Sequence, residues 1–230
     1  MSITGKLATA LSNYDSQHST GSKLRAKRIA PLLEMIKSVF NEHGLVRIID
    51  VGGTGQYWDI VPRHYLDAHN VEITIVNLPG NGISRVDGPF VFVAADACDL
   101  AGFGDKSFHI GHSNAVVEHV GDWGYMVRFA EELTRVSQKW FVQTPNYWFP
   151  IETHSMTPFF HWLPKPIQIW LVSRFQLGHW QRATTIDEAV RTVESTHLLN
   201  RAMLQELFKD AHILTERVFW LPKSLIAVKK

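Results

Sequence analysis

Residues 46–55 read Val-Arg-Ile-Ile-Asp-Val-Gly-Gly-Thr-Gly, and this stretch decides the fold. The run from Val46 to Val51 is short and β-branched, as in a strand buried on both faces, and the glycines mark a sharp turn at its end. Glycines there let the backbone approach a ligand at the mouth of a parallel sheet. A tight turn needing positive φ would account for one or two of them, but not for Asp50 standing just before.

Downstream, a helix is expected over Tyr57 to Ala68, then a strand VEITIV at 71–76 and a Gly/Pro/Asn loop from Pro79 to Gly82. Strand runs recur at VFVAAD, 91–96, and FHIGHSN, 108–114. Between Asp122 and Val136 the residues Trp123, Met126, Val127, Ala130 and Leu133 repeat at helical spacing, and WFVQTPN, 140–146, is a fifth strand stopped by Pro145. Alternation of strand and helix predicts a parallel sheet.

Upstream, Ile29, Leu32, Leu33, Ile36 and Phe40 have helical spacing within Leu24 to Phe40, with Pro31 marking a kink or restart. Residues 1–23 are polar and aperiodic, an arm that orders only by packing on something else. At the other end, Thr185 to Glu188 matches a capping box, and a further helix spans Leu199 to Phe208. The late strands ILTERVFW (213–220) and SLIAVKK (224–230) are separated only by Leu221 to Lys223. They must form an antiparallel hairpin, since a parallel crossover needs about a dozen residues or more.

Composition narrows the classes. The 230 residues fit a single domain, 1–230, with a formal net charge of +1 that argues against nucleic acid as partner. One cysteine, Cys98, excludes a disulfide framework and any multi-thiolate metal site, and no metal is expected. No apolar run reaches the roughly 18 residues of a bilayer span and no secretory signal is evident, so a cytoplasmic protein that is not integral to a membrane is expected. Aromatics are the unusual component: of 26 Phe, Trp and Tyr, 11 lie between Trp140 and Trp180. They concentrate in residues 147–184, which break the strand-helix alternation and read as an insertion or lid.

Three further positions fall where a doubly wound sheet binds nucleotides. Asn77 follows VEITIV at the point that usually carries an acid for ribose hydroxyls; Asn still accepts and donates to a diol but brings no charge. Asp96 ends the next strand, where a carboxylate can receive an exocyclic amine. HSNAVVEHV, 112–120, closes the fourth strand.

In DVGGTG, TIVNL, AADACDL, FHIGHSNAVVEHV and WFVQTPN, in that order from about Arg47 to Asn146, the chain resembles a class I S-adenosylmethionine-dependent methyltransferase of the small free-standing type, methyltransferase-11-like. The resemblance implies an α/β, Rossmann-like, seven-stranded, mostly parallel sheet with an antiparallel last strand and helices on both faces. The aromatic insertion would follow the fifth strand. It also implies S-adenosyl-L-methionine as cofactor. Asp50, Gly52 and Gly53 would hold its methionine portion with Gly55 nearby, Asn77 and Leu78 the ribose and adenine, and Asp96 and Ala97 the adenine edge. Ser113 and Asn114 would border the sulfonium. The sequence departs from D-x-G-x-G-x-G at Thr54 and Gln56, and Asn77 replaces the usual acid.

Methyl transfer is an in-line displacement that needs alignment and dryness first, worth up to roughly 7–11 kcal/mol. A base would add about 10²-fold or more where the acceptor has a proton to lose. His154, His119 and Glu152 are the candidate catalytic residues; a helix-start histidine, a loop histidine bonded to backbone and a solvated acid are their structural alternatives. Trp148, Phe159, Phe160, Trp162, Trp170 and Phe175 would either wall a pocket for a small hydrophobic or aromatic acceptor or pack a lid onto the sheet. Residues 159–180, with Lys165 and Arg174 beside bulky apolar side chains, also allow peripheral contact with a membrane or partner. Two other functions stay open: a non-catalytic nucleoside-binding or scaffold protein on the same fold, and a nicotinamide-dependent oxidoreductase. Against the latter, G-x-G-x-x-G is absent, as is the Tyr-x-x-x-Lys pair of short-chain dehydrogenases.

Overall fold

Residues 20–79, 86–152, 154–218 and 220–230 are described in a computed structural model, the side chains at 20–27, 86 and 87 excepted. The expectations for the arm through residue 19 and for 80–82 of the Pro79 loop fall outside the described residues.

β1 (Val46–Val51) alternates between two buried faces, only Arg47 being exposed. Val46 and Ile48 enter one core, Ile49 and Val51 the other. It pairs in parallel with β2 (Val71–Asn77) on one side and β5 (Phe108–Asn114) on the other. β4 (Phe90–Ala94) extends the sheet beyond β2 and β6 (Ser137–Pro145) beyond β5, both in parallel. The hairpin of β7 (His212–Val218) and β8 (Leu221–Lys229) completes it, β8 running antiparallel to both β6 and β7. These are the seven strands expected, with the last one antiparallel. An eighth, β3 (Val86–Asp87), lies antiparallel along β4, giving the order β3-β4-β2-β1-β5-β6-β8-β7. A two-residue ribbon has no period for sequence to display.

Over one face lies α1 (Thr20–His43), which continues through Pro31 instead of restarting there. Proline in a helix interior costs about 3 kcal/mol, and the burial of Ile29, Leu32, Met35, Ile36 and Val39 offsets it at roughly 1.5–3 kcal/mol for each large side chain. The helix expected over 57–68 is divided: a 3-10 turn, Gly55–Ile60, and α2 (Arg63–Ala68) meet at Pro62, which has no N–H to continue the ladder. Over the other face lies α3 (Trp123–Val136), burying Met126, Phe129, Ala130 and Leu133.

Residues 147–184 leave the sheet after β6 and build a third, smaller core. α4 (Lys165–Arg174) and α5 (Ile186–Glu194) pack there through Phe160, Val172, Leu177, Ala189 and Val193. Thr185 caps α5 at Glu188 N as expected, while the Glu188 carboxylate reaches back to Thr184. α6 (Arg201–Leu207), capped by Asn200, returns the chain to the α3 face. The hairpin turn falls earlier than expected, because Leu221–Lys223 belong to β8. Pro222 is accommodated opposite Arg217, beside a register shift at Glu216/Arg217.

Candidate functional site

At the carboxyl end of β1 the chain makes the turn that the glycines announce. Gly52 has φ +74°, and a Cβ there would meet the Val116 methyls at 2.5 and 2.7 Å. Gly53 has no such backbone constraint, but its Cβ would lie 1.9 Å from the Asp50 carboxylate. The turn is fastened to the neighbouring strands: Gly52 N–H donates to Val76 O at 2.7 Å, Asn77 Nδ2 to Gly53 O at 2.9 Å, and Ser113 Oγ to Val51 O at 3.0 Å.

Asp50 is fully buried and doubly bonded. Trp58 Nε1 donates to Oδ2 at 2.8 Å, and His112 Nδ1 lies 2.6 Å from Oδ1. His112 Nε2 in turn is 3.2 Å from the Tyr57 hydroxyl. Beside this network opens a crevice of about 270 Å³ lined by Asp50, Gly52, Gly53, Thr54, Gln56, Tyr57, Ile60, His112 and Asn114. A larger cleft of about 630 Å³, lined by Val127, Thr134, Glu206 and Lys229 among others, contains none of the sequence-derived site residues.

Of those residues, Asp50, Gly52, Gly53 and Asn114 line the crevice, and Asn77 and Ser113 fasten the turn beside it. Gly55 would bring a Cβ to 3.7 Å from Phe92. Leu78 is exposed, Asp96 is exposed with Oδ1 accepting from Cys98 N–H, and Ala97 packs partly on the α3 core. Ser113 is buried. Trp58, Tyr57 and His112 escaped sequence reasoning. The partners of Asp50 follow it by 8 and 62 residues, and no periodic signal links them.

A second group gathers at the same sheet edge. Val116, against which Gly52 packs, leads into a 3-10 turn, Val117–His119. His119, Glu152 and His154 come together here. His119 Nδ1 lies 2.9 Å from Ser195 O, and because a carbonyl only accepts, that nitrogen carries the proton. His119 Nε2, left as an acceptor, faces His154 Nε2 at 3.1 Å. His154 Nδ1 lies 2.6 Å from Glu152 Oε1, and the buried Glu152 carboxylate also accepts the N–H groups of His154 and Ser155.

The proton placement follows. Burial of Glu152 favours its neutral form, but hydrogen bonds and charge from His154, with the two amides, outweigh it and hold the carboxyl below its usual range. Burial likewise opposes charge on His154, and the Glu152 bond outweighs it and raises its pKa. Desolvation lowers that of His119, against the pull of Ser195. The resting state is therefore a Glu152 carboxylate, a cationic His154 donating through both nitrogens, and a neutral His119. Behind them sits Glu118, fully buried, accepting the Thr144 hydroxyl at 3.0 Å on Oε2 and with no partner for Oε1 among the described residues. Burial pushes its pKa up to about 7. Sequence singled out the segment around Glu118 but not this residue.

Of the six aromatics considered for a pocket wall, only Phe160 is buried; Trp148, Phe159, Trp162, Trp170 and Phe175 are exposed. The ring against His154 is Trp180, stacked at 6.3 Å and itself backed by Phe160. The exposed five are not part of the small core.

No family model matches the chain, and no curated protein matches it. Solved structures do. The CurJ carbon methyltransferase is similar over 98% of this chain, at 11% identity and a TM-score of 0.57, and this chain spans 58% of that one. S-adenosylmethionine-dependent methyltransferases from Archaeoglobus fulgidus (15% identity, 86% of this chain and 94% of that, TM-score 0.49) and Methanosarcina mazei (16%, 80% and 92%, 0.47) are also similar. The fold is that of the class I S-adenosylmethionine-dependent methyltransferases.

Proposed function

We propose that this protein transfers the methyl group of S-adenosylmethionine to a small acceptor by in-line displacement. The observation that carries the reading is the crevice between Gly52, Gly53, His112 and Asn114 at the carboxyl edge of the parallel strands, where open α/β sheets bind ligands. The residues fit such a donor. Gly53 brings backbone to the crevice without a side chain, and the Asp50 carboxyl oxygens bonded by Trp58 and His112 still have acceptor capacity for an ammonium group. About 270 Å³ suits one end of the molecule; Asn77, Leu78, Asp96 and Ala97 would take the nucleoside along the rim, with Gly55 beside the turn and Ser113 and Asn114 next to the sulfonium.

When bound, S-adenosylmethionine supplies an electrophilic methyl carbon whose bond to sulfur breaks as an acceptor lone pair displaces it. The chain's own work is to align, exclude water and receive a proton. His119 and His154 would do the last, with Glu152 orienting His154 and stabilising its charge. Trp180 beside His154 favours an acceptor with apolar or aromatic character.

Calorimetry tests the donor site: S-adenosylhomocysteine should bind with a stoichiometry of one, and NAD should give no heat. No heat from S-adenosylmethionine or from S-adenosylhomocysteine would overturn the reading. A second reading, a non-catalytic nucleoside-binding or scaffold protein, draws on the mutual occupation of His119 Nε2 and His154 Nε2. It predicts donor binding without turnover on any acceptor.

A further inference from the structure

α4 has two apolar sides. Gln168 and Val172 point into the small core, with Ile169 and Leu171 packed beside it. Ile167, Trp170 and Arg174, spaced three and four apart, form the outward stripe, and all are exposed. Trp170 continues the stripe into Phe175, whose ring centroid is 6.1 Å away. Just before the helix, Trp162 gathers Phe159 at 5.2 Å and Trp148 at 6.3 Å. Gln168 Nε2 donates to Leu163 O, tying that turn to the helix. The six large side chains are 39–59% exposed. Soluble monomers rarely leave a surface of this kind uncovered.

Charge indicates what covers it. From Trp148 to Arg182 the only acid is Glu152, which is buried beneath His154, whereas the cations Lys165, Arg174 and Arg182 are exposed. Lys165 pairs with the exposed Glu194, so Arg174 and Arg182 carry the excess. Tryptophan beside arginine matches a bilayer interface, where indole sits at the headgroup level and guanidinium meets lipid phosphate. No helix among the described residues is long and apolar enough to cross a membrane.

We propose that the face formed by Trp148, Phe159, Trp162, Ile167, Trp170 and Phe175 docks peripherally on bilayers that carry anionic lipid, with Arg174 and Arg182 against the phosphates. The contact goes beyond methyl transfer and needs no methyl donor.

The test is co-sedimentation of the full chain with large unilamellar vesicles of phosphatidylcholine, alone or mixed with phosphatidylglycerol, at low and high salt. Binding to the mixed vesicles, weakened by salt and accompanied by a blue shift of tryptophan emission, is the expected result. Trp148→Ala/Trp162→Ala/Trp170→Ala should lower partitioning on the order of tenfold or more, with far-ultraviolet dichroism and thermal unfolding unchanged. Arg174→Glu/Arg182→Glu should lower it on the anionic vesicles while every indole remains, which keeps the test decisive if the triple variant misfolds. Wild-type protein remaining in the supernatant, or charge variants that partition like wild type, would overturn the proposal. So would light scattering that shows a dimer dissociated by the tryptophan substitutions in protein that ignores vesicles, since the face would then be a protein interface.

Discussion

His119 and His154 face each other edge to face through Nε2 atoms 3.1 Å apart, and this contact binds two segments separated by 35 residues. Only one proton can lie between two such nitrogens. With Ser195 fixing the Nδ1 proton of His119 and Glu152 drawing one to Nδ1 of His154, the shared proton belongs to His154. A relay at rest in that form is already loaded. It can receive a proton from an acceptor only after losing one.

Turnover should therefore rise with pH through the raised pKa of His154, not through the lowered one of His119. Glu152→Gln removes the charge that raises it, so the rise should move to lower pH while the plateau falls. His154→Ala and His119→Ala should each lower turnover by about 10²-fold with S-adenosylhomocysteine affinity unchanged. The check is a pH-rate profile beside calorimetry. Wild-type turnover in both histidine variants would mean that positioning alone suffices.

Gly53→Ala isolates the crevice from backbone strain. Gly52 carries the left-handed φ, so its replacement strains the turn and strikes Val116 as well, whereas a methyl at Gly53 meets the Asp50 carboxylate first. Displacing that group would leave Trp58 Nε1 and His112 Nδ1 without their buried acceptor, at about 1–3 kcal/mol for each unsatisfied group. Asp50→Ala should destabilise for the same reason and lose donor affinity. The two together should be less than additive, because the second substitution removes what the first strikes. Denaturant melts of the single and double variants measure the coupling, and strict additivity would show that the alanine methyl finds room.

The succession of strands along the chain was legible because β1 and β2 are β-branched runs ended by glycine or a polar turn, and burial on both faces enforces that composition. Ile48 and Ile73 each fill one core and Ile49 the other whatever their distant partners are. Pairings of polar side chains were not legible. His112 stands in a strand like its neighbours, and only the parallel register of β1 with β5, which sets Asp50 opposite it, makes it the partner of that acid. The three catalytic candidates met because each follows a strand's carboxyl end, which the alternation of elements does encode. In the aromatic segment, a residue count registers indoles without telling whether they face a core or water.

Arg28 connects α1 to the rim. Its Nη1 donates to Asn114 Oδ1 at 3.1 Å and its Nε to Glu216 at 3.2 Å, with both ionic side chains largely buried. Arg28→Lys keeps the charge but cannot serve both partners from one planar fork. It should weaken S-adenosylhomocysteine binding several-fold, on the order of 1 kcal/mol for a lost hydrogen bond, by freeing Asn114. Arg28→Ala should add a loss of stability from the unpaired Glu216. Calorimetry and thermal melts separate the two effects, and equal affinity in wild type and the lysine variant would remove Asn114 orientation from the account.

Glu118 makes stability depend on pH in a direction opposite to that of a salt-bridged acid. Its folded-state pKa lies near 7, above the ordinary 4.5, so the folded protein holds the proton more tightly than the unfolded chain does. The stabilisation is complete below about 4.5 and is lost as pH rises through about 7, a change on the order of a few kcal/mol. Glu118→Gln retains an oxygen for the Thr144 hydroxyl but cannot ionise. Its urea-unfolding free energy should therefore vary less than wild type between those limits, and the variant should gain on wild type as pH increases. His154 also loses stabilisation as pH rises, and because the Glu118 charge helps to raise its pKa, the difference curve reports Glu118 together with its effect on His154. Parallel curves across that range would mean that the carboxyl ionises without penalty, and that its unpartnered oxygen is hydrated in solution.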